Sequence, residues 1–169
     1  FRSLFANNGL VNYVLVNIGI LDKPYNFLTQ PFAAKIVIIL ALLWRWTGYN
    51  MVFFLSGLQN IEYSVYEAAK IDGASAIQTF FKITVPLLKP TILLTAIMST
   101  NGTLQLFDES VNLTDGGPAN ASISMSHYIY NLCFKYVPNF GYAAAMSFFI
   151  LLLVAVLAFI QMRVGDKRD

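Results

Sequence analysis

Three long apolar stretches, separated by polar segments, predict helices that cross a membrane. They cover residues 33–58, 90–107 and 141–162, and each is close to the ~20 residues that a spanning helix needs. The middle stretch is the least apolar, because serine, threonine, asparagine and glutamine crowd its second half. The polar segments 59–89 and 108–140 connect the three stretches, and the pattern predicts that both lie outside the lipid.

The first 30 residues predict a different element. Their apolar run, within FANNGLVNYVLVNIGIL, is too short to span a bilayer, so we expect a short helix at the membrane interface. The chain begins with Phe1 rather than methionine. We therefore expect that it lacks an N-terminal part holding further spans.

Composition narrows the class of protein. The chain is 57% hydrophobic and 12% charged, and that charged share is half the roughly 25% of a soluble domain. We therefore expect an all-α integral membrane protein, with residues 1–169 forming one transmembrane domain. Cys133 and His127 are the only residues of their types, which excludes an internal disulfide and argues against a metal site. His127 is expected to be an ordinary loop residue.

Basic residues are unevenly distributed between the segments outside the spans. They are Lys70, Lys82 and Lys89 in 59–89, Arg163, Lys167 and Arg168 near the C-terminus, and Lys135 alone in 108–140. Cytoplasmic segments carry the excess of lysine and arginine. This count predicts that segment 59–89 and the C-terminus face the cytoplasm, and that 108–140 faces the outside.

Segment 59–89 carries local signals for two short helices joined by a sharp turn. Residues 64–67 (SVYE) and 75–78 (SAIQ) both fit a capping box, in which a serine caps a helix and a Glu or Gln reaches back. Gly73 is placed to end the first helix, and Pro86 to end the second. The pattern alone leaves open that these helices simply lie on the membrane surface, with Glu67 acting only as a cap.

The same segment resembles the membrane subunits of bacterial ABC importers. Their gapped motif reads EAA, three residues, Gly, nine residues, Ile, one residue, Leu-Pro. This chain has Glu67-Ala68-Ala69, Gly73, Ile83 and Val85-Pro86; Val85 replaces the usual leucine. The wider text, from FFLSGLQN through LFDESVNLTDGGP to GYAAAMSFFILLLV, is similar to the carbohydrate branch, and especially to maltose- and lactose-type permeases.

The resemblance implies a fold, partners and a mechanism. It implies a six-helix permease core in a bacterial inner membrane, working with a second permease, a cytoplasmic ATPase dimer and an extracytoplasmic sugar-binding protein. ATP and Mg would bind the ATPase, so this chain would hold no cofactor and catalyse no reaction. The residues that would couple to the ATPase are Glu67, Ala68, Ala69, Asp72 and Gly73.

Candidate cargo residues lie on two of the apolar stretches. Ser99 and Thr103 share a helix face at a spacing of four. The resemblance matches both residues, and Tyr49, to sugar-contact positions, and Trp46 lies on the same stripe as Tyr49. Leu106 stands where the family has a polar contact. The alternatives are hydrogen bonds between packed spans for the hydroxyls, and a membrane-interface belt for the aromatic rings.

Arg45 is the charged residue placed deep in an apolar stretch. A charge in such a place is by default a functional hypothesis, so we expect it to face the cargo cavity. The alternative is a structural ion pair with Asp108 or Glu109 at the end of the next stretch.

Two other classes of protein compete with an ATP-driven importer. An ion-coupled secondary transporter generally needs a carboxylate inside its spans, and the three stretches contain no Asp or Glu. A structural anchor would not need the polar face at residues 99–103. A non-sugar cargo such as glycerol phosphate also stays open, and the sequence does not select one sugar.

Overall fold

The computed structural model describes residues 1–165, and the regular structure in that range is helical, without strands. The α-helices are α1 (Leu10–Asn17), α2 (Pro31–Gln59), α3 (Tyr63–Ile71), α4 (Ala76–Thr79), α5 (Val85–Leu87), α6 (Lys89–Leu104), α7 (Met125–Tyr130) and α8 (Phe140–Gly165). Three π-helical turns accompany them, at Phe80–Thr84, Ser110–Thr114 and Asn131–Lys135.

Helices α2 and α8 are each long and apolar enough to cross a membrane. The third predicted span is different, because α6 has only 16 residues and rises about 24 Å. It reaches spanning length only together with the preceding segment Ala76–Leu87, from which it is bent by 65°. Helix α6 also ends at Leu104, before the predicted limit at 107, and the Leu106 N–H bonds the Thr103 carbonyl in a tight final turn.

Helix α8 leaves most of its apolar side chains uncovered within its own chain. Only Ala143 and Ile150 are buried, whereas Phe148, Phe149 and Leu151 are exposed. A helix that is apolar all round must be covered by lipid or by other helices. This exposure fits a multi-pass membrane protein.

The chain groups into two compact units, of which the first comprises Phe1–Arg45 and Gly102–Leu153. Its core is formed by Val37, Ile38 and Ala41 of α2 with Leu113. Near the chain start, the buried Asn12 side chain on α1 donates to the Tyr25 carbonyl and accepts from the Tyr25 N–H. These bonds hold the short predicted helix against the chain that follows it.

The second unit comprises Trp46–Asn101 and the described part of Val154–Asp169. Within it, α2 and α6 approach closely at Gly57, where an added Cβ would meet Thr91 Oγ1 at 2.9 Å. Helices α6 and α8 are joined by a hydrogen bond from Gln161 Nε2 to Thr100 Oγ1 at 2.8 Å. Polar side chains therefore link the apolar helices of this unit.

Candidate functional site

The first predicted capping box is wrong. Helix α3 begins at Tyr63, with Glu62 in an extended conformation at the N-cap, so Ser64 lies inside the first turn. The Ser64 hydroxyl bonds the Glu62 carboxylate at 3.3 Å. A cap residue must be extended and directly before the helix, and Glu67 is too far from this start to close a box. The Glu67 carboxyl is exposed on α3 and is available to a partner.

Gly73 ends α3 as the sequence predicts. Its φ of +76° is a left-handed conformation that side chains disfavour. The Gly73 N–H bonds the Lys70 carbonyl at 3.2 Å, and the Ala74 N–H bonds the Ala69 carbonyl at 3.0 Å. This pair of bonds is a Schellman motif, which fixes the direction in which the chain leaves the helix.

The second predicted capping box is present. The Gln78 N–H donates to Ser75 Oγ at 3.3 Å, and the Ser75 N–H donates to Gln78 Oε1 at 2.8 Å. The helix that follows does not end at Pro86, however, so that prediction is wrong. It continues through a π-turn into α5, where Pro86 occupies an early position that needs no N–H donor.

The two arms of this helix–turn–helix form one folded piece with apolar side chains on its exterior. Tyr66 Oη and Thr84 Oγ1 lie 3.3 Å apart and tie α3 to the π-turn. A groove of about 410 Å³ separates the arms, lined by Tyr66, Lys70, Ala74, Ala76, Thr79, Phe80 and Thr84. Ile71, Ile77 and Phe81 are exposed, which suits a surface that docks against another protein. Of the other predicted coupling residues, Ala68 and Asp72 are exposed and Ala69 is buried.

The predicted cargo residues of α2 lie in a row of aromatic rings. The Trp46 and Tyr49 rings are 5.4 Å apart, edge to face, and the Tyr49 and Phe53 rings are 5.0 Å apart. Trp46 is half-buried and Tyr49 is exposed within the chain. These contacts leave the predicted role of Trp46 and Tyr49 in cargo binding untested.

The Ser99 hydroxyl is paired with Asn50, a residue that sequence reasoning did not select. Asn50 Nδ2 donates to Ser99 Oγ at 3.1 Å, and Ser99 Oγ is 3.3 Å from Asn50 Oδ1. The alternative for Ser99, a hydrogen bond between packed spans, is therefore present. The role of Ser99 in cargo binding stays a prediction. An asparagine four residues after Trp46 in an apolar helix was a signal that could have identified it.

Thr103 and Leu106 lie on either side of the C-terminal end of α6. Thr103 lies in the last turn of α6 and is exposed, and its cargo role also stays a prediction. Leu106 lies beyond the helix and packs on the apolar core of the first unit.

Arg45 forms the structural ion pair that was the alternative to a role in the cargo cavity. Its Nη1 is 2.9 Å from Glu109 Oε1 and 3.9 Å from Asp108 Oδ2. The side chains of Arg45 and Glu109 are 42% and 11% exposed, and Glu109 Oε2 has no hydrogen-bond partner among the described residues. Arg45 thus joins α2 to the segment after α6, while its proposed cavity role stays untested.

Segment 108–140 is folded rather than a plain loop, and His127 is the largest of its fully buried side chains. The prediction of an ordinary loop histidine is wrong: His127 is 0% exposed. Its Nδ1 is 2.8 Å from Ser110 Oγ, which donates its own proton to the Ser122 carbonyl at 2.8 Å. Because that proton is already committed, His127 Nδ1 must be the donor to Ser110.

The other nitrogen of His127 faces an ion pair. His127 Nε2 lies 3.7 Å from Asp115 Oδ1, and Lys135 Nζ lies 2.8 Å from the same oxygen. The hydrogen bond from Lys135 lowers the pKa of Asp115, and the same bond raises the pKa of Lys135. Burial lowers the pKa of His127, against the opposing effect of Asp115. The imidazole is therefore neutral at neutral pH.

We expect the fold of segment 108–140 to weaken in mild acid. In the folded protein, the pKa of His127 lies below the ordinary value of 6.5. The contribution of neutral His127 to the free energy of unfolding is therefore complete above pH 6.5. This contribution is lost as the pH falls from 6.5 through the lower pKa that His127 has in the folded protein. Protection of the amides of residues 110–135 against hydrogen exchange, corrected for the pH dependence of the intrinsic exchange rate, should be lower at about pH 5.5 than at about pH 7.5. A His127→Gln variant should lose this difference, and a variant that keeps it would exclude His127 as the cause.

Comparison with known proteins shows the family to which this chain is similar. Residues 5–168 match the family described as the inner membrane component of binding-protein-dependent transport systems. The chain is 54% identical to the lactose transport system permease protein of Rhizobium radiobacter, over 99% of this chain and 57% of the relative. It is 36% identical to the trehalose/maltose transport system permease protein of Thermococcus litoralis, over 95% and 53%.

A solved structure has the same fold. A chain of the bacterial ABC transporter involved in the import of the acidic polysaccharide alginate matches with a TM-score of 0.82 and 26% identity, over 97% of this chain and 57% of that one. The predicted all-α membrane fold is thus confirmed. The chain spans about half the length of the curated relatives it matches. Because the family match covers nearly all of the residues, the chain belongs to the inner membrane components of binding-protein-dependent transport systems.

Proposed function

We propose that the chain is part of the permease subunit of an ATP-driven importer for a sugar or oligosaccharide. The observation that carries the proposal is the helix–turn–helix of α3 and α4, held by a Schellman motif at Gly73 and a capping box at Ser75. Such a piece can transmit force because its turn is fixed by hydrogen bonds at both helix ends. Its exposed Glu67 and apolar side chains supply a docking surface.

The path from this surface to the membrane helices is short. The chain runs from α4 through the π-turn and α5 and then, after a 65° bend, into α6. Helix α6 carries Ser99, a candidate cargo residue. When the ATPase closes and shifts the docked turn, α6 moves with it, because the connecting residues are helical throughout except at the bend. Movement at the nucleotide site would thereby change access to the cargo.

The partners and the orientation belong to this proposal. The ATPase dimer binds segment 59–89 in the cytoplasm and holds ATP and Mg, a second permease completes the pathway, and a sugar-binding protein docks outside, on the side of 108–140. Arg163, in the last turns of α8, is exposed and fits a cytoplasmic C-terminus. Lys167 and Arg168, which entered the same count, lie outside the described residues.

Relatives named for lactose and for trehalose and maltose support a sugar as the cargo. Trp46, Tyr49, Ser99 and Thr103 supply the aromatic faces and hydroxyls that sugars bind. A phosphorylated cargo such as glycerol phosphate would need positive charge. The charge of Arg45 is already balanced by Glu109 and Asp108, so a neutral sugar fits this chain better.

Co-purification and transport test the proposal directly. A tagged full-length permease should bring down an ATPase and a second permease. The complex in proteoliposomes should take up labelled lactose, or another sugar of a panel with maltose and trehalose, only with ATP and the binding protein. Uptake driven by a proton or sodium gradient without ATP would instead establish the secondary-transporter alternative. Complex assembly without uptake of any cargo would leave the anchor alternative.

A further inference from the structure

Asn50 and Ser99 form a two-point polar contact between α2 and α6. The Asn50 carboxamide donates from Nδ2 to Ser99 Oγ at 3.1 Å and accepts at Oδ1 from the same hydroxyl at 3.3 Å. Both residues belong to the second unit, and both are only half-buried. Polar side chains in apolar helices usually lie toward a partner or a water-filled cavity, and half-burial leaves this pair accessible from one side.

The pair keeps hydrogen-bonding capacity that Ser99 does not use. A carboxamide has two N–H donors and two acceptor lone pairs. Ser99 occupies one donor and one lone pair of Asn50. The remaining N–H and the remaining lone pair of Asn50 point in different directions, so each can bond a hydroxyl group, which can accept as well as donate. A sugar hydroxyl could therefore bind Asn50 without breaking its contact with Ser99.

The surroundings of Asn50 suit a sugar ring. Trp46 lies one turn before Asn50 on α2, and the rings of Trp46, Tyr49 and Phe53 form a row of edge-to-face and tilted contacts, with neighbouring centroids 5.4 and 5.0 Å apart. Small-molecule sites combine such apolar faces with a few placed polar groups that fix orientation. These aromatic rings alone would bind sugar rings with little discrimination, so the nearby polar group decides which hydroxyls are accepted.

We infer that Asn50 is a cargo-specificity residue, which holds Ser99 through the edge of its carboxamide shared by Oδ1 and Nδ2 and binds a sugar hydroxyl through its remaining N–H or its remaining lone pair. This inference rests on the proposed function, and it assigns a residue that the family motif does not mark. It accounts for the two-point contact with Ser99, because a carboxamide held at both its oxygen and its nitrogen presents its remaining donor and acceptor in one orientation.

The test removes hydroxyls from the sugar and the carboxamide from the protein in turn. Complexes of the full-length permease are reconstituted with one binding protein, and the sugar of the panel with the fastest ATP-driven uptake is compared with its single-deoxy derivatives. In the wild type, loss of the contacted hydroxyl should slow uptake about fivefold, the effect of one neutral hydrogen bond. In Asn50→Leu, the parent sugar and that derivative should be taken up at equal rates.

A matched control is the Gln161–Thr100 hydrogen bond, which also joins two helices of this unit through the residue next to Ser99. Thr100→Val removes it and should keep the wild-type discrimination among derivatives. The exchange Asn50→Ser with Ser99→Asn should restore part of the discrimination.

Two results would overturn the inference, and only one of them would also overturn the proposed function. If Asn50→Leu slows the parent sugar and every derivative by the same factor, Asn50 only holds the helices together, and the proposed importer function stands. If the wild-type complex takes up no sugar of the panel with ATP, the proposed function fails and the inference fails with it.

Discussion

Replacing Gly73 with proline is expected to reduce ATP-driven uptake at least about a hundredfold, while the permease still inserts into the membrane. Proline holds φ near −65°, whereas Gly73 has a φ of +76° and donates its N–H to Lys70. The local cost of ~3 kcal/mol corresponds to about a hundredfold change in the population of the native turn. Uptake and ATP hydrolysis are measured together in proteoliposomes, where we expect hydrolysis to continue without proportionate transport.

The chain contains a matched control for this variant. Gly19 has a φ of +74° and ends α1 with the same pair of bonds, from the Gly19 N–H to Val16 and from the Ile20 N–H to Leu15. Gly19→Pro imposes the same strain outside the coupling segment and should leave the coupling ratio unchanged. Gly73→Asn should be tolerated, because asparagine enters the left-handed region at low cost. Normal transport by Gly73→Pro, or equal uncoupling by Gly19→Pro, would contradict the role of this turn.

Replacing Arg45 with leucine is expected to destabilise the first unit by about 1–3 kcal/mol. Removal of one partner leaves the Glu109 carboxylate largely buried with its closest cation gone, which is the costly way to break an ion pair. The estimate lies below that for a fully buried pair because Arg45 is itself 42% exposed. The measurement is the thermal unfolding midpoint of the purified complex, which should fall in Arg45→Leu.

The double variant separates the two roles considered for Arg45. If the residue only pairs with Glu109, Arg45→Leu combined with Glu109→Leu should recover most of the stability and of the uptake, since no unpaired charge remains. If Arg45 contacts cargo, stability should recover and uptake should not. Asp108→Asn is the control with a small expected effect, because Asp108 is 71% exposed and 3.9 Å from the guanidinium. A single variant Arg45→Leu with unchanged stability would show that the pair contributes nothing.

Much of the fold was predictable from local sequence, because the interactions that decide it are local. The hydrophobic stretches predict α2 and α8 through the length of chain needed to cross lipid. The turn at Gly73 and the capping box at Ser75 were predictable for a similar reason. Each depends on hydrogen bonds within five residues and on the conformational freedom of one glycine. The family motif over 67–86 belongs to the same local pattern.

Local signals failed at two points of segment 59–89, the start of α3 and the helix around Pro86. The SVYE box competes with a helix that starts at Tyr63, and the extended Glu62 decides in favour of the earlier start. Pro86 suggests a helix end, but a π-turn before it delivers the chain in helical geometry. After the π-turn, Pro86 occupies a position where the helix needs no backbone N–H donor. No local sequence rule predicted the π-turn.

By itself, the sequence determined that the chain is a helical membrane protein with a short helix that ends at Gly73, because spanning length, charge and capping are properties of neighbouring residues. Only the tertiary structure decided which distant side chains meet. It paired Ser99 with Asn50 and Arg45 with Glu109, and it buried His127 against Ser110. The physical reason is that a helix can turn any of several faces toward its neighbours, and packing of the whole chain selects the face.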